Sequence, residues 1–363
     1  MRHLPSGMST SLGSVPFTIH SLETESSVPH NSRSRDSARA SGKKKKKETL
    51  SYKDNGYSEQ LELRDIEPRL ERPDDTDPQL SNLGALREFL KRPNPIPKGA
   101  EKCDTAKAVQ KRAQNENTFS LALSFLIDLK TFIKIEGLNF VVNAAWADTH
   151  PLPSSLPSSL RIAPPAPDVT IGYQSSAMKD LRKYSRELGK YSAPVICDSD
   201  LLFPFVTIGV KGDAGRKELA LQNSHNGAVM LRNLRHLREK ARSNAQETFD
   251  KTFDDNIRAL TLGIHKFGVD VTCHWTSFKD GQVVYCSAIL RTWNLIKDND
   301  WYDARAGIRL AITWMMEENQ SWIKADLASI KNSKQLRSTR AQSLINRNTE
   351  VERSHMTFVP NQM

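Results

Sequence analysis

The chain has 363 residues, a formal net charge of +10 and 38% hydrophobic residues. It contains no run of the roughly 20 apolar residues that a membrane span needs, and its basic N-terminus is not followed by the apolar core of a secretory signal. The four cysteines form no CxxC pair and have no histidine at metal spacing. We therefore expect an intracellular protein with reduced cysteines, no membrane partner and no zinc site.

Composition predicts three regions. Residues 1–78 are rich in Ser, Pro and charged side chains, which is typical of a disordered arm. Residues 79–330 carry enough apolar runs for one domain, and 331–363 form a polar C-terminal tail. The arm contains the run Lys43, Lys44, Lys45, Lys46 and Lys47. This run suits nuclear import or nucleic-acid contact, and it equally suits a solvated tail.

Periodicity and turn residues predict alternating helices and strands over the domain. In chain order we expect helices over 81–92, 103–117 and 119–130, a strand over 138–146, a loop over 151–167, a strand over 169–173, a helix over 176–190, a strand over 201–210, a helix over 216–243, strands over 260–277 and 282–294, and a helix over 301–320. Asp280-Gly281 between alternating strands is typical of a tight hairpin. The fold class predicted is α/β, with a mixed central sheet flanked by helices.

Two segments of this sheet bring together residues that suit metal-dependent phosphodiester chemistry. Pro167-Asp168-Val169 opens one strand, and Phe203-Pro-Phe-Val-Thr-Ile-Gly-Val-Lys-Gly-Asp213 is an apolar strand that ends in Lys211. Cleavage at neutral pH requires neutralised phosphate oxygens and an activated water, both of which Mg²⁺ provides. Mg²⁺ is held by one or two carboxylates, and residues at i and i+2 on a strand share a face.

These segments, together with Ala220-Leu-Gln-Asn223 in the next helix, resemble the fungal PD-(D/E)XK nuclease-like proteins over about residues 80–325. The resemblance implies a restriction-endonuclease-like fold and a Mg²⁺- or Mn²⁺-dependent nuclease. It implies that Asp168 is a metal ligand, Lys211 the catalytic lysine and Gln222 a residue near metal or DNA. Glu116 matches an acidic residue on the helix before the sheet, and would be a weaker metal ligand.

The glutamate that the family places two residues before the lysine is glycine here, at position 209. With one carboxylate fewer, the affinity for Mg²⁺ should fall. Glu218, one helical turn before Gln222, is a candidate relocated ligand, and Asp213 a weaker one. Ordinary structural roles remain open for these residues: a turn cap for Asp168, a solvated strand end for Lys211, and surface positions for Gln222 and Glu116.

The helix over 216–243 carries a row of arginines beside a row of leucines. Arg232, Arg235 and Arg242 lie about 100° round the helix from their apolar neighbours. Such a row suits salt-dependent phosphate contacts, and it also suits a solvated helix surface. His225, His236, His265 and His274 show no ligand spacing, so no role is assigned to them.

Three hypotheses follow from the sequence. The first is a nuclease of impaired or rewired activity on nucleic-acid phosphodiesters. It would be an intracellular protein, and a nuclear one if the lysine run acts in import. The second is a catalytically inactive nuclease fold that binds nucleic acid or protein. The third is a globular interaction protein in which the motif match is accidental. The sequence predicts no oligomeric state.

Overall fold

A computed structural model divides the chain into two compact units, Met1–Lys46 and Lys47–Met363. It describes residues 49–69, 80–92, 126–127, 137–146, 161–174, 176, 201–211, 215–242, 250–295 and 300–356, all of which belong to the second unit. None of the helices in these ranges has an apolar stretch long enough to cross a membrane.

The described residues form an α/β fold around a mixed sheet of seven strands, in the order β2-β9-β8-β7-β6-β5-β3. The neighbours β3, β5 and β6 are antiparallel, β6 and β7 are parallel, β7, β8 and β9 are antiparallel, and β2 joins β9 in parallel. A separate parallel pair contains β1 and β4. The strands are β1 (Thr49–Leu50), β2 (Ile66–Arg69), β3 (Leu138–Val142), β4 (Arg161–Ile162), β5 (Val169–Gln174), β6 (Leu201–Val210), β7 (Ala259–His265), β8 (Gly268–Lys279) and β9 (Gln282–Asn294). The helices are α1 (Tyr57–Glu62), α2 (Leu83–Leu90), α3 (Arg216–Ala241) and α4 (Asp300–Met356).

One face of the sheet is apolar and packs on α4. Val206 and Ile208 of β6 point to this face, as do the residues paired with them on β5, because side chains directly opposite in a ladder share a face. The helix α4 covers this face, and the hydroxyl of Tyr173 in β5 donates to the Met316 carbonyl of α4 at 2.8 Å. The main apolar core therefore lies between the sheet and α4.

The opposite face of the sheet is polar where α3 covers it. Thr170, Thr207, Thr261 and Thr272 lie directly opposite one another across β5, β6, β7 and β8. The hydroxyl of Thr170 accepts a hydrogen bond from Trp146 Nε1 at 3.2 Å. The sheet thus has a row of hydroxyl groups beneath α3, and those of Thr170, Thr207 and Thr261 are fully buried.

Two buried histidines complete this polar layer. Burial lowers the pKa of both His225 and His274 to about 3, so both rings are neutral. His225 Nδ1 is hydrogen-bonded to the Tyr57 hydroxyl at 2.6 Å, and His274 Nε2 to Thr261 Oγ1 at 2.8 Å. These histidines are therefore neutral, hydrogen-bonded members of the polar layer.

Three predicted boundaries are wrong. The disordered arm does not extend to residue 78, because α1 and the sheet strand β2 are ordered parts of the second unit. The predicted strand over 260–277 is two strands, β7 and β8, which turn at Lys266-Phe267. The last helix does not end near residue 320 but continues as α4 to Met356, into the predicted C-terminal tail.

The other predicted elements are largely confirmed. The structure contains β5 and β6, α2 and α3, and the hairpin turn at Asp280-Gly281, where both residues have positive φ as a type I′ turn requires. The predicted helices over 103–117 and 176–190, and most of that over 119–130, lie outside the described residues.

The second half of α3 is fixed by buried ion pairs. Arg235 binds Asp254 through Nη1, and its Nε lies 3.1 Å from Glu239 Oε1. Arg238 binds Asp250 at 2.9 Å and also Asp326 of α4. These contacts join α3 to the loop before β7 and to α4.

Replacement of Asp254 by alanine should destabilise the fold strongly. Arg235 is 3% exposed, and removal of one partner from a buried pair leaves an uncompensated charge, at a cost of about 3–5 kcal/mol. Asp254 also accepts hydrogen bonds from Thr276 and from the Asp250 amide. The matched control is Glu239→Ala, which removes the more exposed partner of the same arginine and should cost about 1 kcal/mol or less. Urea unfolding of both variants measures the difference, and equal losses would contradict the assignment.

The raised pKa of the Asp326 carboxyl group should make the stability of the fold depend on pH. Burial raises its pKa to about 6, although Arg238 opposes the shift. The folded state therefore binds this proton more tightly than the unfolded state, whose pKa is about 3.9. Its stabilising contribution is full below about pH 4 and is lost as pH rises towards 6. Asp326→Asn should abolish this loss, so that the variant gains about 1–3 kcal/mol relative to the parent chain between pH 4 and pH 7.

The control for this titration is Asp250→Asn. Burial favours a higher pKa for Asp250, but hydrogen bonds from Thr252 and Arg238 outweigh burial and hold its pKa below the ordinary value. Asp250 therefore stabilises the fold at neutral pH and loses that effect in acid, the reverse of Asp326. Urea midpoints of Asp326→Asn from pH 4 to pH 7, and of Asp250→Asn from pH 5 down to pH 2, test the two signs, and a flat difference for Asp326→Asn would show that its pKa is unshifted.

Candidate functional site

The ends of β5 and β6 place Asp168 beside Lys211. Val169 pairs with Ile208, and one further step in this antiparallel register sets Asp168 opposite Gly209. Lys211 lies two residues beyond Gly209 and shares its face of the sheet. The Val210 amide donates to Asp168 Oδ2 at 2.6 Å. The Asp168 carboxylate is thus held against the residue that precedes Lys211.

The Lys211 ammonium lies at the rim of the sheet. Its backbone amide donates to the Ile264 carbonyl at 2.9 Å, which ties the end of β6 to β7. Its Nζ lies 3.4 Å from the Tyr52 hydroxyl and 5.1 Å from the centre of that ring, a cation–π contact. The stem passes Gly215, where an added Cβ would lie only 2.9 Å from Lys211 Cβ. Gly215 at the start of α3 therefore gives the lysine its path.

The first turns of α3 bring Gln222 to the same end of the sheet. Its Nε2 lies 3.5 Å from the carbonyl of Ala166, two residues before Asp168. Its Oε1 is buried and has no hydrogen-bond partner within the described ranges. Glu218, half-buried, is one turn earlier on the same helix face. Asp168, Lys211 and Gln222 are therefore gathered at one rim, with Glu218 on the adjoining helix turn.

The close packing of α3 explains why position 209 is a glycine and not the glutamate of the motif. A Cβ at this position would lie 2.7 Å from Leu219 Cδ1 and 3.5 Å from Asn223 Oδ1. Gly263, its partner on β7, has the same neighbours, with Asn223 Nδ2 at 3.0 Å and Leu219 Cδ2 at 3.1 Å. The space that a motif glutamate would enter is therefore occupied by α3.

The sequence interpretation missed a group of buried polar residues on α3 and β6. Asn226 and Thr207 are fully buried, and the Asn226 amide and Thr207 Oγ1 have no hydrogen-bond partners in the part of the chain that the structure describes. Unpaired buried polar groups each cost about 1–3 kcal/mol. The signal in the sequence is the run Gln-Asn-Ser-His-Asn at 222–226, five polar residues in the middle of a long helix.

The predicted arginine row does not serve as a nucleic-acid surface at Arg235, because Asp254 and Glu239 bind that buried side chain. Arg242 binds Asp250 at 2.9 Å, and Arg232 is half-buried near the Tyr285 hydroxyl. By helix rise, Arg235 lies roughly 20 Å along α3 from Gln222. The three arginines are therefore remote from the Asp168 rim. Glu116, Asp213 and the run Lys43–Lys47 lie outside the described residues.

Other cations, at the start of α3 and in the turn between β7 and β8, lie near the rim instead. Lys217 is exposed in the first turn of α3, and Arg216 beside it forms two hydrogen bonds to Asp270, at 3.0 and 3.1 Å. The turn between β7 and β8 carries Lys266 and Phe267, whose ring is 50% exposed. Both groups stand at the end of the sheet where β6 and β7 finish, as does Lys211. The rim is therefore basic, with one exposed aromatic ring.

Comparison with protein families gives one match. The family model described as a domain of unknown function (DUF7924) matches residues 126–327, more than half of the chain. This span contains Asp168, Lys211 and Gln222, but neither β2 nor Tyr52. The chain matches no curated protein.

The contact between Gly209 and α3 should be measurable as a coupling between two positions. Gly209→Ala places a methyl group against Leu219 and should cost about 1–3 kcal/mol. Leu219→Ala opens that space, so the double variant should be more stable than the sum of the single losses predicts. The control is Gly84→Ala in α2, where an added Cβ meets no atom within 4 Å and should stabilise the helix slightly. Additive losses at 209 and 219, measured by urea unfolding, would contradict the close approach.

Proposed function

The chain belongs to the DUF7924 family, and we propose that its Asp168 rim is a nuclease-like site for phosphodiesters of nucleic acids, rewired by Gly209. The observation that carries the proposal is the meeting of β5 and β6. An aspartate held 2.6 Å from the amide of Val210 lies next to the lysine that follows. This is the juxtaposition of carboxylate and lysine on adjacent strands that the nuclease motif requires.

The oxygen donors at the rim fit Mg²⁺ or Mn²⁺. Mg²⁺ keeps several water ligands and is bound through one or two carboxylates together with substrate phosphates. Asp168 would be the principal ligand and Glu218 a second, and the unpaired Oε1 of Gln222 adds a neutral oxygen. With at most two carboxylates as protein ligands, the ion would keep several waters, and its binding in the absence of substrate should be weak. Bound there, the ion would supply charge neutralisation and an activated water.

The side chains of this chain have distinct tasks in the proposal. Lys211 places a positive charge beside the phosphate, where it favours the additional negative charge of the transition state. The Tyr52 hydroxyl and ring hold its ammonium at the rim. Asp168 is fixed in orientation by the Val210 amide, so it needs no rearrangement when substrate arrives. Gln222 can hydrogen-bond substrate or a ligand water.

Nucleic acid would approach along the basic rim. Lys217 and Lys266 suit phosphate contacts, which make binding salt-dependent. The exposed ring of Phe267 suits stacking with an unpaired base. The run Lys43–Lys47 would add a further phosphate-seeking segment and a nuclear-import signal.

A second candidate function has one observation in its favour. Leu219 and Asn223 fill the space beside Gly209 where the second motif carboxylate would stand. A site with that space closed suits a module that binds nucleic acid without cutting it. Binding with steep salt dependence and no cleavage distinguishes this candidate.

A nuclease assay tests the proposal. The full chain, with Mg²⁺ or Mn²⁺, is incubated with single- and double-stranded DNA and with RNA. We expect cleavage that Asp168→Ala and Lys211→Met each reduce about 100-fold or more, since each removes an electrostatic element of the site. Lys240→Met, an exposed lysine on the same α3, is the matched control and should have full activity. Cleavage that survives both rim substitutions would refute the assignment.

If the parent chain does not cut, a repaired variant decides between the two candidates. Gly209→Glu combined with Leu219→Ala restores the carboxylate and provides its space. Gain of cleavage would reveal an intact site that lacks one ligand. Salt-dependent binding without gain of cleavage would establish the binding module.

A further inference from the structure

We propose that a cavity beside the first turns of α3 binds one nucleotide, with its base inside and its phosphate at the mouth. The cavity has a volume of about 460 Å³ and lies between α3 and strands β7, β8 and β9. Small-molecule sites commonly measure about 300–1,000 Å³, so the space suits a molecule of nucleotide size.

The walls of the cavity are suited to a flat ring. Leu219 and Ala220 line it from α3, and Ile289 from β9. Gly263 of β7 forms part of its floor, close beneath Leu219 and Asn223. Aliphatic walls that enclose a few polar groups are typical of sites for heteroaromatic ligands.

The polar end of the cavity is Asn223. Its side chain is 3% exposed, and its Oδ1 has no hydrogen-bond partner within the described residues. Its Nδ2 lies over Gly263, at 3.0 Å from the position of an added Cβ. A planar amide presents a donor and an acceptor side by side, the pattern that matches the edge of a base such as adenine. Unpaired buried amides are unfavourable, so a base that bonds to Asn223 would relieve an existing cost.

Two hydroxyl groups also line the cavity. Ser224 of α3 and Ser287 of β9 are hydrogen-bonded to each other at 3.2 Å, and both line the space. The Ser224 hydroxyl donates to the Ala220 carbonyl at 3.0 Å, so Ser287 donates to Ser224, and the lone pairs that remain can accept from a ligand. These groups add polar contacts for the ring edge without adding charge.

The mouth of the cavity suits a phosphate. Arg216 is 59% exposed in its side chain and uses Nε and Nη2 to bind Asp270, which leaves other guanidinium N–H groups for a ligand. Lys217 lines the same mouth. Both stand at the N-terminus of the 26-residue α3, where unpaired amides and the helix dipole favour an anion. A base in the cavity would thus leave its phosphate beside Lys217 and beside Arg216, whose guanidinium already pairs with the Asp270 carboxylate that lines the same space.

The cavity and the Asp168 rim lie on adjacent sides of the same helix turns, and Leu219 and Asn223 separate them above Gly209. Gln222 faces the segment before β5, whereas Asn223 faces Gly263 of β7. The inference rests on the proposed function only for the idea that the nucleotide is part of a strand. A nucleotide in the cavity could be free, or could be one unit of a single strand whose backbone crosses the start of α3.

Equilibrium binding in EDTA tests the cavity without involving cleavage. Titrations of the full chain use AMP, CMP, adenosine, ribose 5-phosphate, a short single-stranded oligonucleotide and its duplex. We expect AMP to bind at least about tenfold more tightly than ribose 5-phosphate and than adenosine, because base and phosphate each contribute contacts. An oligonucleotide that binds more tightly than AMP indicates a strand as the natural ligand, and the reverse order indicates a free nucleotide.

Three variants locate the binding. Ala220→Phe fills the cavity and should weaken AMP about tenfold or more, with thermal unfolding to confirm that the variant is folded. Because the amide pairs with the edge of adenine, we expect AMP to bind more tightly than CMP, and Asn223→Leu, which keeps the side-chain volume, should remove this preference. Lys217→Glu, on the surface and therefore harmless to folding, should weaken AMP about tenfold at low salt. Lys240→Glu makes the same charge change at the other end of α3 and should have no effect.

The outcomes separate this inference from the nuclease proposal. Failure of every nucleotide to bind at millimolar concentration, or equal AMP affinity in the parent chain and in both Ala220→Phe and Lys217→Glu, would overturn the cavity assignment. Asp168→Ala should leave AMP binding unchanged, because Asp168 does not line the cavity. Nucleotide binding without any cleavage would leave the cavity standing while the nuclease fails.

Discussion

The structure depends on how closely α3 approaches the sheet. Gly209 and Gly263 lie side by side on β6 and β7, and a methyl group on either would force Leu219 or Asn223 to shift, most at Gly209. Gly227 makes a third close contact from the helix, since a Cβ there would lie 2.2 Å from the His274 ring. The short polar side chains of α3 therefore meet the threonine row directly. A bulkier interface would separate the helix from the sheet and disperse the polar residues that form the site.

The two halves of α3 have different physical tasks. The second half carries Arg235 and Arg238, whose charges are satisfied by buried aspartates from neighbouring elements, so it anchors the helix. The first half contains the unpaired atoms of Gln222, Asn223 and Asn226 together with the exposed Arg216 and Lys217, a costly arrangement that stability alone does not explain. Since buried ion pairs and an apolar core hold the rest, the first turns can keep unsatisfied groups for a ligand.

How far the sequence predicts this molecule depends on the range of the signal. The strand β6, the helix α3 and the Asp280-Gly281 turn follow from local periodicity and turn chemistry, and all three are present. β2 was missed because four residues that include a proline, within a charged segment, have no strand pattern of their own; pairing with β9 makes them a strand. The burial of Arg235 in an ion pair could not be predicted either, because its partner Asp254 lies outside α3, in the loop before β7. Gly209 could be recognised as a departure from a motif, but its steric cause needs the helix packed in place.

Residues outside the span that matches the family model contribute to the site. Tyr52 contacts the Lys211 ammonium, and the Tyr57 hydroxyl is hydrogen-bonded to His225 of α3. Both tyrosines precede the matched span by more than 50 residues. The segment that carries them also supplies β2 to the edge of the sheet. A lysine whose position depends on a neighbouring phenol differs electrostatically from one held by water alone. The chemistry of this rim is therefore a property of the whole second unit, and the family domain alone would present Lys211 in a different environment.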